Sequence, residues 1–178
     1  QLMLAIHRHE KAAGIWKDDT YLRDYPQGPF GDCESIILRF PPRSVHETEE
    51  ALKKHLDTFD QHECIDYPVF KLLPEARPLI FGLMNFVNGE RLGRVIINKI
   101  KPGGVIYPHA DTPAHAQYFD RFHIVLSSSP GVIFRAGDER VYMETGSVWW
   151  FNNALEHEVI NNSADNRIHM VVDIRTSK

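Results

Sequence analysis

Between Arg94 and Arg175 the chain is written in short β-forming runs separated by turn formers, and this pattern constrains the fold more than any other feature. The runs are Arg94–Lys101, Val105–Pro108, Phe122–Ser127, Gly131–Arg135, Arg140–Glu144, Ser147–Phe151, His157–Asn161 and Ile168–Arg175. Pro102-Gly103-Gly104 separates the first two, and Ala136-Gly137-Asp138-Glu139 has the form of a hairpin connection. Strands this short and this closely spaced predict a sandwich or barrel such as a jelly roll.

The first half reads differently. Residues 1–34 are rich in turn formers and polar groups, with Tyr25-Pro26-Gln27-Gly28-Pro29-Phe30-Gly31-Asp32 the strongest loop signal. Ser35–Phe40 reads as a strand stopped by Pro41 and Pro42. Ser44 and Glu47 form a capping box, after which Ala51, Leu52, Leu56 and Phe59 fall on one helical face. A second helix is predicted from Glu75 to Val87, its apolar set Leu79, Ile80, Leu83, Met84 and Val87, with Gly89 just past its end. The expected class is α+β, mainly β, with flanking helices outside an all-β core. A chain of 178 residues suits one domain: 1–93 as supporting strand, helices and substrate-facing loops, 94–178 as the core.

Composition removes several functions. The formal net charge is −4, so bulk charge gives no reason to expect nucleic acid as a partner. No apolar run approaches the roughly 20 residues of a membrane span, and the opening Gln1–Ile6 segment is broken by His7, Arg8, His9 and Glu10, unlike a signal peptide. Cys33 and Cys64 lack the spacing of a zinc or redox pair, which makes a reducing, cytoplasmic setting the expectation.

The chemistry concentrates in a few residues. His109 and Asp111 stand two apart, so in a strand both point to one face. That pair by itself reads equally well as a surface loop. His157 follows 48 residues after His109, past several strands, about what a jelly roll needs to bring a later strand back beside an earlier one. Two histidines and a carboxylate on one side of a metal leave positions open, the facial arrangement of non-haem Fe(II) oxygenases. Arg167 lies ten residues beyond His157 at the start of the last strand, and a buried arginine can grip a carboxylate with two parallel hydrogen bonds.

Four stretches in order carry a resemblance. They are Lys101-Pro102-Gly103-Gly104-Val105-Ile106-Tyr107-Pro108-His109, Arg121-Phe122-His123-Ile124-Val125-Leu126, Gly146 through Val159 with Trp149-Trp150-Phe151 and His157, and Asn166-Arg167-Ile168-His169-Met170-Val171-Val172-Asp173. Over Arg94–Arg175 the chain resembles the aspartyl/asparaginyl β-hydroxylase family of 2-oxoglutarate-dependent oxygenases. The resemblance implies a double-stranded β-helix (jelly roll, cupin-like) and a hydroxylase that uses Fe(II), 2-oxoglutarate and O2, releasing succinate and CO2. It implies His109 and His157 as iron ligands, joined by Asp111, and Arg167 on the far carboxylate of 2-oxoglutarate. Arg121, His123 and Asn98 match positions near the keto-acid end. Animal members carry glycine at the place of Asp111, so this chain resembles the bacterial ones and the animal substrates do not carry over. The implied substrate is an amino-acid residue in a peptide or protein, or a free amino acid; a lipid acyl chain is less favoured without a membrane anchor. Two other readings stand beside it: a non-catalytic jelly-roll binding module, and a cupin-type metal enzyme that does not use 2-oxoglutarate.

Other conspicuous residues have plainer readings. His7 and His9 are expected to be mobile terminal groups, His46, His55 and His62 surface residues, His115 a solvated loop histidine and His169 a packed strand histidine. Trp149, Trp150 and Phe151 read as core with one Trp turned outward, and Arg39 as a surface strand residue. Trp16, Tyr21 and the Pro26–Asp32 loop are candidate substrate elements.

Overall fold

Alternation along the last strand organises the molecule. In the computed structural model, which describes residues 1–43, 48–58 and 60–177, Arg167–Thr176 forms the most continuously buried strand. It lies in a six-stranded antiparallel sheet, between Gly89–Ile100 on one side and Asp120–Ser127 on the other. Its even residues Ile168, Met170, Val172 and Ile174 join an apolar core on one face, while Arg167, His169 and Asp173 stand on the other.

In chain order the elements are α1 (Leu2–Ala13), α2 (Tyr21–Asp24), β1 (Cys33–Phe40), α3 (Glu49–Thr58), β2 (Ile65–Asp66), a 3-10 turn (Pro68–Leu72), α4 (Ala76–Phe86), β3 (Gly89–Ile100) and β4 (Val105–His109). Then come α5 (Pro113–Tyr118), β5 (Asp120–Ser127), β6 (Val132–Ala136), β7 (Glu139–Val141), β8 (Val148–Phe151), β9 (His157–Asn161) and β10 (Arg167–Thr176). The larger sheet runs β2-β1-β3-β10-β5-β8 and the smaller β4-β9-β6-β7. Apolar side chains of both sheets meet between them: Cys33, Ile100, Val125 and Phe151 from the larger, Ile106, Phe134 and Val159 from the smaller. This is the expected jelly roll, mainly β with helices outside it.

The outer face of the larger sheet is covered by α1 and α4. Leu2, Ala5 and Ile6 of α1 and Ala76, Ile80 and Leu83 of α4 pack on Ile36, Leu38, Val95, Ile97 and the even residues of β10. Residues 2–13 therefore do not belong to a loop-rich opening. Leu2, Ala5 and Ile6 have the i, i+3, i+4 spacing of a buried helical stripe, and Gly14 closes the helix in the left-handed conformation at φ 66°. Trp16, expected near the substrate, is buried in this same core.

Several boundaries move for local reasons. Strand β3 begins at Gly89, five residues before the predicted start, because Gly89, Arg91 and Leu92 pair with the end of β10. Asn88 (φ 51°), not Gly89, takes the left-handed position after α4; Gly89 lies so close to Ile174 that an added Cβ would sit 2.6 Å from its methyl carbon. The β6–β7 hairpin turns on Gly137 at φ 55°, as predicted. Helix α3 starts at Glu49, where the Thr48 hydroxyl accepts the Ala51 N–H at 3.1 Å; Ser44, Glu47 and Phe59 lie outside the described residues. Among the described residues no helix is long and apolar enough to cross a membrane.

Candidate active site

Between the sheets, a cavity is lined by Asn98 and Arg94 of β3, His109 of β4, Asp111, Arg121 and His123 of β5, His157 of β9 and Arg167 of β10, with Phe30, Phe40 and Phe134 among its apolar walls. All seven site residues expected from the sequence thus converge here from five strands and one loop. A larger apolar groove of about 850 Å³ lies on the opposite face of the sheet between α1, α4, β5 and β8, and includes none of these residues.

The ligand-type atoms of His109, Asp111 and His157 lie within 4.8 Å of one another, so the three could hold a metal ion. The two histidines are paired across β4 and β9. A bulge makes this possible. Ile106 pairs with Val159 and His109 with His157, three residues on one strand against two on the other. The extra residue falls at Tyr107-Pro108 and turns both Ile106 and His109 to the inside. Each histidine engages a backbone carbonyl through Nδ1: His109 on Tyr107 at 2.8 Å and His157 on Leu155 at 2.9 Å. With the proton on Nδ1, the Nε2 lone pair is presented to the cluster. Burial pushes the His157 imidazole down to about 4, which keeps it in the neutral, ligand-competent form.

Asp111 is placed by other means than strand alternation. Strand β4 ends at His109, and Asp111 follows in a loop fixed by its own N–H, which donates to Asn153 O at 3.0 Å. Its Oδ2 receives Asn153 Nδ2 at 2.6 Å and Arg121 Nη1 at 2.5 Å. That leaves Oδ1 without a described partner.

Arg121 is itself held. Its Nε and Nη2 donate to the two oxygens of Asp173 at 2.7 and 2.9 Å, and His115 Nε2 binds the same carboxylate at 2.8 Å. Burial would raise the Asp173 pKa, but Arg121 and His115 reverse it and hold the carboxyl well below the usual range. His115 is therefore no solvated loop group: it sits on α5, a helix formed within the Thr112–Asp120 segment, and is buried against Phe119. Arg121, whose resemblance placed it near a cosubstrate, spends three of its donors on Asp173 and Asp111.

Arg167 has the opposite surroundings. Only 1% exposed, it donates Nη2–H to His169 Nδ1 at 2.8 Å, while Nε and Nη1 have no hydrogen-bond partner. Burial lowers its pKa to about 10. His169 Nδ1 lies 3.3 Å from His123 Nδ1, and burial followed by the charge of Arg167 holds both histidines well below the ordinary value. His169 is packed, as expected. Asn98 accepts the Ser35 hydroxyl at 2.7 Å through Oδ1 and lines the same cavity.

Sequence reasoning missed Asp173, His115, Asn153 and Arg94. Asp173 was reachable, since it shares the face of Arg167 and His169 by simple alternation; Asn153 and His115 act from loop and helix positions that no periodicity marks. Trp150 is the tryptophan that faces out, at 56% exposure. Arg39 pairs with Asp66 rather than facing the cavity.

Two histidines and one carboxylate in a metal-competent cluster are the ligand types of the facial triad that non-haem Fe(II) oxygenases use. The aspartyl/asparaginyl β-hydroxylase family profile matches residues 48–177, and the chain belongs to that family. It is 28% identical over 90 residues to L-proline cis-3-hydroxylase 1 of a Streptomyces species, covering 49% of this chain. The match spans only 31% of that relative's length. Among solved structures, the TT1209 protein of Thermus thermophilus is 20% identical with a TM-score of 0.39, over 48% of this chain and 75% of that one. A cupin domain of Bordetella pertussis Tohama I is 18% identical with a TM-score of 0.39, over 49% and 85%.

Proposed function

We propose that this protein is an Fe(II)- and 2-oxoglutarate-dependent dioxygenase that hydroxylates an unactivated C–H of an amino acid, free or within a peptide. The observation that carries the reading is the unpartnered Nε and Nη1 of buried Arg167 in the cavity that also holds the His109–Asp111–His157 cluster. A buried guanidinium without a counter-charge is costly, and a carboxylate is the group its planar fork matches. The donor set fits iron: two imidazoles and one carboxylate oxygen suit Fe(II) and leave coordination positions for a chelating cosubstrate. The proline hydroxylase among its relatives supports an amino-acid substrate.

In this reading His109, Asp111 and His157 hold the metal and Arg167 receives the distal carboxylate of 2-oxoglutarate. The bound iron, with 2-oxoglutarate and O2, supplies the oxidant, the cosubstrate leaving as succinate and CO2. The chain's own residues do the positioning. His123 and Asn98 border the keto-acid end as neutral polar groups. Arg121 orients Asp111 and adds positive potential beside it. Phe30, Phe134 and Phe151 keep the histidines in an apolar, water-poor setting, Phe30 edge-on to His109 at 5.5 Å and Phe151 edge-on to His157 at 4.9 Å. We place the whole chain as one oxygenase unit in a reducing, cytoplasmic setting, consistent with two buried free thiols, Cys33 pushed up to about 12 and Cys64 to about 11 by burial.

The test is succinate formation from 2-oxoglutarate with Fe(II) and ascorbate, alongside calorimetric binding of Mn(II) and then 2-oxoglutarate. Turnover that depends on His157 and Arg167 is the expected result. Metal binding with unchanged 2-oxoglutarate affinity in Arg167→Ala would sink the cosubstrate assignment and favour a cupin-type metal enzyme.

A further inference from the structure

One cation in the cavity is answered neither by the protein nor by the proposed cosubstrate. The charged residues lining the cavity are Arg94, Arg121, Arg167 and Asp111. Arg121 is neutralised by Asp173 and Asp111. Under the reading above, Arg167 takes a carboxylate of 2-oxoglutarate, and the dianionic cosubstrate balances a divalent metal and that arginine together with Asp111's share. Arg94 remains. It stands on β3 on the same face as Ile96 and Asn98, half-buried, where the cavity meets the surface. Its described contact is a cation–π approach to Phe40, 5.1 Å from guanidinium carbon to ring centre; among the described residues it makes no hydrogen bond or ion pair. Nearby arginines differ: Arg39, Arg43, Arg91 and Arg175 each pair with a carboxylate. Beside Arg94 the wall is apolar, formed by Leu22, Phe30, Phe40 and Ile96.

We propose that Arg94 binds the carboxylate of the substrate, with Leu22, Phe30 and Phe40 covering its apolar body. The substrate class is then a small carboxylate-bearing amino acid rather than a neutral residue inside a chain. The inference rests on the iron and 2-oxoglutarate reading. The physical argument is that an unpaired guanidinium at the rim of a partly desolvated cavity attracts an anion more strongly than it would in water. Its cation–π contact with Phe40 also holds the planar group in place, so little side-chain freedom is lost on binding.

The experiment measures succinate release by the protein supplied with Fe(II), 2-oxoglutarate and ascorbate. The added compounds are the free L-amino acids, the corresponding amino-acid amides, and N-acetyl-aspartyl and N-acetyl-glutamyl amides. Free acids are expected to stimulate release and their amides not. Arg94→Gln should raise KM for the stimulating acid roughly 10- to 100-fold, with Arg94→Lys between, and thermal melts check that both variants fold. Stimulation by the N-acetyl-aspartyl or glutamyl amide instead would keep Arg94 as the carboxylate anchor and move that carboxylate to a side chain. Equal stimulation by an acid and its amide, no stimulation by any carboxylate compound, or an unchanged KM in Arg94→Gln would overturn the assignment. Wild-type protein that neither binds Mn(II) nor consumes 2-oxoglutarate would bring down the underlying reading, and this proposal with it. Intact Mn(II) and 2-oxoglutarate binding without acid-over-amide preference would bring down the Arg94 assignment alone.

Discussion

Two arginines enter the same cavity from neighbouring strands, and their surroundings are opposites. Arg121 is buried and saturated: burial alone would lower its pKa, but Asp173 and Asp111 reverse this and raise it. Arg167 is buried and open, with two nitrogens unpartnered and burial lowering its pKa to about 10. Equal burial with unequal pairing teaches what each is for. A saturated buried charge is accounted for by the folded chain's own structure, and an open one is left for the ligand proposed above. The Arg121 network ends on Asp111, the carboxylate of the metal-competent cluster, so it also sets where that carboxylate points. The chain Asp111–Arg121–Asp173–His115 is the supporting shell of the site, and Arg167 is its open contact.

The comparison can be broken, the largest effect first. Asp173→Asn removes the bidentate one of Arg121's two carboxylate partners and should cost about 3–5 kcal/mol of unfolding free energy, read by urea denaturation. Arg167→Met, which removes a charge that has no partner, should be neutral or stabilising by about 1–4 kcal/mol in the same measurement. Comparable destabilisation by both would erase the distinction between them. The same Asp173→Asn protein should also bind Mn(II) roughly 10- to 100-fold more weakly, because the Asp111 carboxylate loses its fixed orientation. Unchanged affinity by calorimetry would confine Asp173 to a purely structural role.

Acidification gives a third measure. His123 and His169 have folded pKa values well below their unfolded value, so the unfolded chain binds the extra protons. Their contribution to stability is fully present above about pH 6.5 and is lost as pH falls below it, at up to about 1.4 kcal/mol per pH unit for each histidine. A second loss should begin below about pH 4, where Asp173, whose folded pKa is depressed, starts to be protonated in the unfolded chain. Denaturation midpoints of metal-free protein from pH 8 to 3 check both, and a flat profile between pH 6.5 and 4 would contradict the buried neutral histidines. The smallest expected effect is that of Asn153→Ala. It removes one of two donors to Asp111 Oδ2 and should weaken Mn(II) binding by roughly 10-fold, while leaving the Arg121 network intact.

Much of this was legible in the chain itself. The alternation of β10 states which residues go under the helices and which face the cavity, and the turn at Gly137-Asp138 states its hairpin. The order His109, Asp111, His157 and Arg167 is a chemical inventory that needs only a fold to assemble it. These features are local: period, turn conformation and residue chemistry depend on a few neighbours. Helix α1 was legible too, in Leu2, Ala5, Ile6 and Gly14, but its polar residues masked a stripe that only becomes meaningful against the sheet it covers.

Tertiary structure decided the rest. The bulge at Tyr107-Pro108 turns His109 inward, and it exists because β9 fixes the register on both sides of it. Asp111 is held beside the two histidines by Asn153, 42 residues away, and Arg121 reaches Asp173 across 52. The difference between a saturated Arg121 and an open Arg167 is invisible in residue type, because pairing of buried charge depends on which strands become neighbours. The sequence by itself determined the inventory of candidate site residues and, along β10, the alternation that sorts core from cavity. Only the packed sheets determined which of them support the site and which still await a partner.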